Sequence, residues 1–451
     1  MFLNKYFSKL VIAFLLIACI WYGKNLDSWG RNRIIDNDVV SYYAYLPATL
    51  LFHDLSFSFM KELPADFEGK IWLQTAPTGK PILRMTMGLA ILWSPFFILA
   101  HLFAKVMGIS ALGYSWPYSL SIFVAAIFYL FVGLVFLRKI LLRYFSDFVT
   151  GTTLLLIVLA TNLMNYVILE PGMSHVFSFT LIILFLYYTL KWVEKPAISS
   201  TLILGALAGL IVLIRPTNGL MLVFPALYAI SSVAELKQRT IGRWKLILLA
   251  GVAAFFMVLP QMIYWKSQTG HFIFNSYMDS GGFYFANPHL IDGLLGFRKG
   301  WLIYTPVMLF ALVGLLFLKR YAKDFLLSIS AFLPLFLFVI FSWWCWWYGG
   351  SYGSRAMIDT YGILAIPMAA FLSVILQSSW WKKGIIALLL LFFVYLNQFQ
   401  MGQYRTSLLH WDSMTKTAYK AILFKKNWPA GYDKMIQVPD YEKALKGENE
   451  Y

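Results

Sequence analysis

Long apolar runs, separated by short polar segments, recur along almost the whole chain. Most of them approach the length of a membrane-spanning helix, about 17–25 residues. They are continuous rather than alternating in polarity, which predicts helices instead of the strands of a membrane barrel. The pattern predicts eleven spans: 10–23, 114–137, 149–167, 175–190, 200–214, 217–234, 246–263, 301–318, 325–343, 357–377 and 384–400.

A further apolar segment, 82–104, contains Arg84, Pro95 and His101. Basic residues cluster in the connections at 138–143, 191–195, 237–245, 319–323 and 382–383. Such clusters mark cytoplasmic connections. If these clusters lie on the cytoplasmic side together with the N-terminus, successive connections alternate correctly between the two sides of the membrane only when 82–104 does not cross fully. We therefore expect a re-entrant or interfacial segment there.

Composition supports this fold class, since 60% of the 451 residues are hydrophobic and only 13% are charged. The expected fold is an all-α polytopic membrane protein with about eleven transmembrane helices. A net charge of +16 would suit nucleic-acid binding, but the basic residues lie between apolar runs, so no nucleic-acid partner is expected. Cys19 and Cys345 imply no disulfide framework. The segment 16–19 resembles a lipoprotein cleavage box, but the apolar run continues beyond it, so we expect an uncleaved first helix.

The predicted outward-facing segments are long and rich in polar and aromatic residues, whereas the inner ones are short and basic. The outer segments are 24–113, 168–174, 265–300, 344–356 and 402–451. Chemistry is therefore expected at the outer face. The chain divides into a membrane domain, 1–401, with an outer loop 24–81, and a small outward-facing C-terminal appendage, 402–451.

Two carboxylates, Asp36 and Asp38, follow the first apolar run in the sequence RNRIIDNDVVSYYAYLP (31–47). Residues 39–52 suit an interfacial helix with Tyr42 near headgroup depth. Asp38 could cap this helix, whereas Asp36 is not needed for a cap. Paired acids beside a membrane surface suggest a general base, or ligands for a divalent cation, although a third ligand is not evident.

Four cations are candidates for binding a phosphate group at the outer face. Lys80 and Arg84 precede and begin the ambiguous segment, where snorkelling is the alternative interpretation. Arg215, in the sequence RPTN (215–218), interrupts an apolar run at an outer turn. Arg355 ends the glycine-rich sequence GGSYGSR (349–355), which could bring a guanidinium and backbone donors onto a phosphate.

Glu170 and His175 flank a Pro-Gly break at another predicted outer turn. An ordinary polar turn would account for both. An ionisable residue at the start of an apolar span nevertheless indicates a functional site.

The ordered set of DND (36–38), KP (80–81), SH (174–175), RPTN and GGSYGSR resembles the GT-C superfamily of polytopic glycosyltransferases, which includes protein mannosyltransferases and the lipid A aminoarabinose transferase. The resemblance covers most of residues 1–400. It implies that Asp38, spaced from Tyr42 as in that family, is the catalytic base ahead of Asp36. Lys80-Pro81 looks like the Lys-Pro that ends the family's first outer loop.

This resemblance implies transfer of a sugar from a polyprenyl-phosphate donor to a glycan, lipid or protein acceptor at the outer face of a membrane, with the bacterial inner membrane as the expected setting. Membrane lipids are then partners. Nucleotide-binding fingerprints are absent, as expected for such a donor. The alternatives are an O-antigen polymerase or ligase, a transporter or flippase of lipid-linked sugars, and a non-catalytic assembly factor. Charges clustered outside the spans argue against the transporter.

Overall fold

The computed structural model describes residues 3–30, 33–63, 71–278 and 281–448, and 67% of it is helical. The first half of the chain forms α1 (Leu3–Leu26), α2 (Asp38–Tyr43), α3 (Tyr45–Leu50), the strands β1 (Leu73–Thr75) and β2 (Pro81–Leu83), α4 (Gly88–Val106), α5 (Trp116–Leu141), α6 (Asp147–Leu159), α7 (Asn165–Ile168), α8 (His175–Glu194), α9 (Ile198–Ile214), α10 (Val223–Leu227) and α11 (Val233–Thr240).

The second half forms α12 (Trp244–Thr269), α13 (Leu290–Leu295), α14 (Trp301–Tyr304), α15 (Met308–Gly314), α16 (Leu318–Tyr321), α17 (Leu326–Phe341), α18 (Tyr361–Leu376), α19 (Trp380–Arg405), α20 (Lys416–Ile422) and α21 (Tyr441–Leu445). Short 3₁₀ turns at Ser58–Glu62, Pro216–Leu222, Leu315–Phe317, Lys323–Phe325, Arg355–Thr360 and Tyr432–Lys434 join several of them.

The chain is an α-helical polytopic membrane protein. Within the described ranges, eight helices are long and apolar enough to cross a membrane: Tyr6–Leu26, Gly88–Val106, Trp116–Leu141, His175–Glu194, Trp244–Thr269, Lys323–Phe341, Arg355–Leu376 and Trp380–Arg405. The apolar helices α6 and α9 are shorter. Eight of the twelve apolar segments found in the sequence therefore form full-length helices.

Three predicted spans, 149–167, 217–234 and 301–318, are wrong as continuous helices. The span 149–167 is interrupted between α6 and α7. The span 217–234 becomes a 3₁₀ turn and two short helices, and Ala229 has a positive φ of 53° between them. The span 301–318 breaks between α14 and α15, where Pro306 lacks an N–H and disfavours a helical conformation at the residue before it. Apolar composition alone does not reveal these breaks.

Helices α9 and α12 pack through small residues. A Cβ atom added to Gly205 or Gly209 of α9 would lie 2.2 or 2.5 Å from the backbone oxygens of Ala250 and Ala254 in α12. Only glycine permits so close an approach of two helix backbones, which is typical of helix packing in membranes.

Several basic connections meet at one end of the bundle. Arg138 pairs with Asp147 at 3.4 Å, and Arg143 pairs with Glu194. The Tyr144 hydroxyl donates to Asp324 at 3.0 Å, which brings the 319–323 connection to the same place. Since α8 runs from His175 to Glu194, its first residue lies at the opposite end, which we call the site end.

The ambiguous segment forms one helix, α4, and both ends of α4 contact elements of the site end. At its start, Gly88 is packed against the last residue of α9, Ile214. Near its end, His101 Nδ1 lies 2.7 Å from the hydroxyl of Tyr118 in the first turn of α5. The Tyr43 hydroxyl of α2 donates to Gly113 in the same α4–α5 connection. That α4 does not cross fully stays a prediction, and this arrangement is compatible with it.

The expected interfacial helix 39–52 is wrong as a single surface helix. It is broken into α2 and α3, and its aromatic side chains lie inside the protein: Tyr42, Tyr43 and Tyr45 are buried. The hydroxyls of Tyr43 and Tyr45 donate to the backbone oxygens of Gly113 and Met85. Internal hydrogen bonds therefore replace the membrane surface as the environment of these rings.

Residues 406–448 fold against the loops of the site end. The N–H of Ser351 donates to Trp411 O at 3.1 Å, and the Tyr284 hydroxyl donates to Leu445 O. The ring of Tyr441 contacts Trp347, with ring centroids 5.5 Å apart. This C-terminal tail thus packs beside the sequence that leads to Arg355.

Candidate active site

An ion pair between Asp38 and Arg355 forms the centre of the candidate site. Asp38 is the first residue of α2, and its Oδ2 lies 3.3 Å from a terminal nitrogen of the Arg355 guanidinium. The Asp38 side chain is 30% exposed and that of Arg355 is 15% exposed. The residue at the N-cap position is Asn37, whose side chain makes no capping hydrogen bond. Asp38 therefore contacts a cation, and helix capping does not account for it.

Arg84 and Asp38 line a cavity of about 180 Å³ together with Ser41, Trp72, Gln74 and Met85. The Arg84 guanidinium stands over the ring of Tyr277, 5.9 Å from its centroid. With the Gln74 amide oxygen facing Arg84, that oxygen accepts two hydrogen bonds from the guanidinium, at 3.0 and 2.9 Å. The cavity thus has a fixed cation opposite a carboxylate.

A second group of charges surrounds Arg215. Its terminal nitrogen lies 3.3 Å from Asp359 Oδ2 and 3.2 Å from His175 Nδ1, and Asp359 is completely buried. An arginine can only donate, so Nδ1 of His175 accepts and the neutral ring carries its proton on Nε2. The guanidinium also stands 5.7 Å from the ring centroid of Tyr348. Arg215 is consequently held by protein groups.

The two groups of charges share tyrosine neighbours. Burial raises the pKa of Tyr277; Asp38 acts in the same direction, whereas Arg215, Arg355 and Arg84 act against it. Burial likewise raises the pKa of Tyr42, with a smaller contribution from Asp38 in the same direction. Arg215 and Arg355 therefore act on both phenols together with Asp38, Arg84 acts on Tyr277, and both phenols stay protonated at neutral pH.

Asp36 and Lys80 lie in other surroundings. Asp36 accepts a hydrogen bond from the backbone N–H of Asn37 at 2.9 Å. Lys80 is exposed in the turn between β1 and β2 and donates to Ser267 O at 2.9 Å. The structure does not bring either residue into the ion pair. Across the described part of the chain, His, Cys, Asp and Glu side chains form no cluster of three that could hold a metal ion.

No protein-family model matches the sequence, and the curated proteins contain no match to it.

Glu170 belongs to a second, larger cavity of about 740 Å³. Its lining comes from the end of α1, the turn after α7 and the end of α19, together with Ser28, Arg33, Asn37 and the tail residues Ser407, Leu409 and Trp411. The Tyr404 hydroxyl donates to Glu170 Oε1 at 2.7 Å. Burial raises the pKa of Glu170, while the hydrogen bond from Tyr404 and the charge of Arg355 oppose that rise. Glu170 is thus close enough to Arg355 to sense its charge, and it lines a different cavity from Asp38.

Three charged residues close to the site were not predicted. Asp359 lies within the predicted span 357–377. An ionisable residue inside an apolar span indicates a functional site, so the sequence did contain a signal for Asp359. Arg298 and Lys299 are both buried just before α14. Arg298 donates to Asp412 O and Gln437 O of the tail, at 2.8 and 3.2 Å. Lys299 donates to Ser351 O, and burial lowers its pKa to about 7.

Proposed function

We propose that the protein is an integral membrane glycosyltransferase of the GT-C type. It moves a sugar from a polyprenyl-phosphate donor to an acceptor hydroxyl at the outer face of the membrane. The observation that carries the proposal is the half-exposed carboxylate of Asp38, 3.3 Å from Arg355 and beside a polar cavity, at one end of a bundle of apolar helices. Eleven crossings and a periplasmic location of the site are part of the proposal.

The reaction needs two tasks from the protein. The acceptor hydroxyl attacks the anomeric carbon, a new C–O bond forms, and the bond between that carbon and the phosphate oxygen breaks. The departing polyprenyl phosphate keeps the electron pair of that bond. The acceptor proton passes to the carboxylate of Asp38, which acts as general base and contributes about 10²–10⁴-fold.

Arginines stabilise the charge that develops on the phosphate. Arg355 is the best placed, because its guanidinium already binds the carboxylate oxygen of Asp38 and can engage phosphate oxygens in the same way. In this proposal the donor phosphate takes over Arg355 from Asp38 and thereby frees the carboxylate for the acceptor. Arg215, held by Asp359, contributes a fixed positive potential at the site.

The location at the end of the helices suits a lipid-linked donor. The isoprenoid chain can remain among apolar helix surfaces, while the phosphate and sugar reach the polar cavity. Helix α12 offers such a surface, with exposed apolar side chains at Ile247, Leu248, Val252, Phe255 and Phe256. A soluble nucleotide-sugar donor would have no use for such an arrangement.

The test uses purified protein and a panel of polyprenyl-phosphate sugars, with membrane lipids and glycans as acceptors. Release of polyprenyl phosphate and labelling of the acceptor are measured in single turnovers. We expect the wild type to turn over and Asp38→Asn to lose most activity. Asp292→Asn is the matched control, because Asp292 lies at the same end on α13, 42% exposed and 3.6 Å from His289.

Three outcomes would overturn the proposal. Sugar-lipid movement across vesicle membranes without cleavage would identify a transporter. Turnover only of diphosphate-linked donors would identify a polymerase or ligase. Undiminished turnover in Asp38→Asn would remove the catalytic base.

A further inference from the structure

The hairpin of β1 and β2 carries three of the six residues that line the smaller cavity. Its register pairs Leu73 with Leu83 and Gln74 with Ile82. Continued by one residue, this register places Trp72 opposite Arg84. Opposed residues of an antiparallel pair project to the same face, and alternate residues of a strand share a face. Trp72, Gln74 and Arg84 therefore project from a single face of the hairpin, which we call the hairpin face.

Ser276, in the connection that follows α12, and Tyr264 of α12 hold the hairpin face in place. The Ser276 hydroxyl donates to Arg84 O at 2.6 Å. With the Gln74 amide oxygen facing Arg84, the amide nitrogen of Gln74 donates to Ser276 O at 2.5 Å. The Tyr264 hydroxyl of α12 accepts from the N–H of Leu83 at 3.0 Å. These contacts fix the polar groups in advance of any ligand, and such pre-organisation is what a binding site requires.

The cavity combines one aromatic wall with several hydrogen-bonding groups. Trp72 is 51% exposed, a large fraction for an indole that lines a cavity. Ser41, Gln74, Arg84 and Asp38 supply hydroxyl, amide, guanidinium and carboxylate groups. The volume of about 180 Å³ is below the about 300–1,000 Å³ of pockets for drug-sized ligands. The occupant must be small, polar and provided with one apolar face.

We propose that this cavity binds the sugar ring of the donor. Trp72 stacks against the C–H face of the sugar ring. The side chains of Gln74, Arg84 and Ser41 form hydrogen bonds with the hydroxyl groups of the sugar. The inference rests on the proposed function, because it places the anomeric carbon beside Asp38, the sixth group of the same cavity. A single hexose or pentose ring matches the volume and the mixture of groups.

The other two parts of the donor, its polyprenyl chain and its phosphate group, do not meet these conditions. A polyprenyl chain would leave the polar groups of Gln74, Arg84 and Ser41 facing hydrocarbon, which is costly. A phosphate group would gain from Arg84 but would leave the half-exposed indole of Trp72 without an apolar partner, and Arg355 is already assigned to the donor phosphate. The phosphate is therefore assigned to the Arg355 side of Asp38 and the sugar to the Trp72 side.

The experiment compares the affinity of two probes, polyprenyl phosphate bearing a sugar and bare polyprenyl phosphate, for the full-length protein. The sugar is the one that the wild type turns over best. We expect the wild type to prefer the sugar-bearing lipid. Trp72→Ala should weaken its binding about tenfold, leave the bare lipid unchanged, and so remove the preference. Trp72→Phe should keep most of the preference because it retains an aromatic face.

Two further variants control for damage to the fold. Trp428→Ala removes an equally exposed tryptophan, 54% accessible, from the tail and should change neither affinity. Ser41→Ala removes only a hydroxyl and should weaken binding of the sugar-bearing lipid alone. If Trp72→Ala and Ser41→Ala keep the full preference, the sugar subsite is refuted and the glycosyltransferase proposal stands. If the wild type binds neither lipid, the proposed function fails and the subsite with it.

Discussion

Replacing Asp38 by asparagine separates catalysis from folding in this protein. The substitution keeps the size and shape of the side chain and removes its charge. Helix capping contributes little to the loss of stability, because the N-cap residue is Asn37 and its side chain makes no capping hydrogen bond. What the substitution removes is the carboxylate partner of Arg355, together with the only proton acceptor proposed for the acceptor hydroxyl.

The expected loss of stability follows from the geometry of the ion pair. At a separation of 3.3 Å and an effective dielectric constant of about 20, the gross Coulomb attraction is about 5 kcal/mol. Both side chains are partly exposed, and an asparagine oxygen can still accept from the guanidinium. The net cost should therefore be about 1–3 kcal/mol, the range for a charged donor left partly satisfied. The loss in rate should be larger, about 10²–10⁴-fold.

Two measurements on the same detergent-purified samples test this prediction. Chemical denaturation gives the free energy of unfolding, and a single-turnover assay gives the rate of sugar transfer. Asp38→Asn should fold, lose a modest amount of stability and lose nearly all transfer, whereas Asp292→Asn should match the wild type in both. If Asp38→Asn transfers sugar at the wild-type rate, the carboxylate is not the base. A fall in rate that disappears when stability is restored by bound lipid would also refute the reasoning.

Further predictions concern the donor phosphate, helix packing and pH. Arg355→Lys should lower donor affinity and rate by about 10-fold or more, because an ammonium cannot bind two phosphate oxygens at once, whereas Arg320→Lys at the opposite end should leave both unchanged. Gly205→Ala should destabilise the protein by about 1–3 kcal/mol, because its Cβ would lie 2.2 Å from a backbone oxygen of α12; Gly251→Ala, with open space around it, is the control in the same unfolding experiment. Burial lowers the pKa of Lys299 to about 7 from its ordinary value of 10.5, so the folded state binds fewer protons than the unfolded state between these values. Stability should then rise from pH 7 towards pH 10, and Lys299→Met should flatten that rise; an equal slope in the variant would contradict it.

Helix positions followed from the sequence where apolar runs were long and uninterrupted. The helices α5, α8 and α12 illustrate this, because a run of that length has few other stable conformations in a membrane. The predicted span 301–318 failed because its apolar composition hides the break at Pro306, and 217–234 failed because nothing in its hydropathy signals the positive φ of Ala229. A single Pro306 was enough to end one helix and start another.

The candidate site was only partly predictable. The sequence shows which charged residues lie near the membrane surface, but it does not show which of them contact one another. Asp38 and Arg355 were both chosen for their charge and position. Their contact joins residues 317 positions apart, and no local pattern encodes it. Asp359 was missed because an acid inside an apolar run was treated as part of a span. Yet it is the residue that holds Arg215.

The tail, 406–448, shows why the predicted boundary at 401 does not separate the site from an appendage. Arg298 binds two backbone oxygens of the tail, and the next residue, Lys299, binds Ser351 O four positions before Arg355. The N–H of Ser351 is bound in turn by Trp411 O at 3.1 Å. Both backbone groups of Ser351 are therefore engaged by buried or tail residues, which restricts the loop that carries the guanidinium. Asp38 approaches Arg355 from the N-terminal part of the chain, so the two ends of the sequence fix the ion pair from opposite sides.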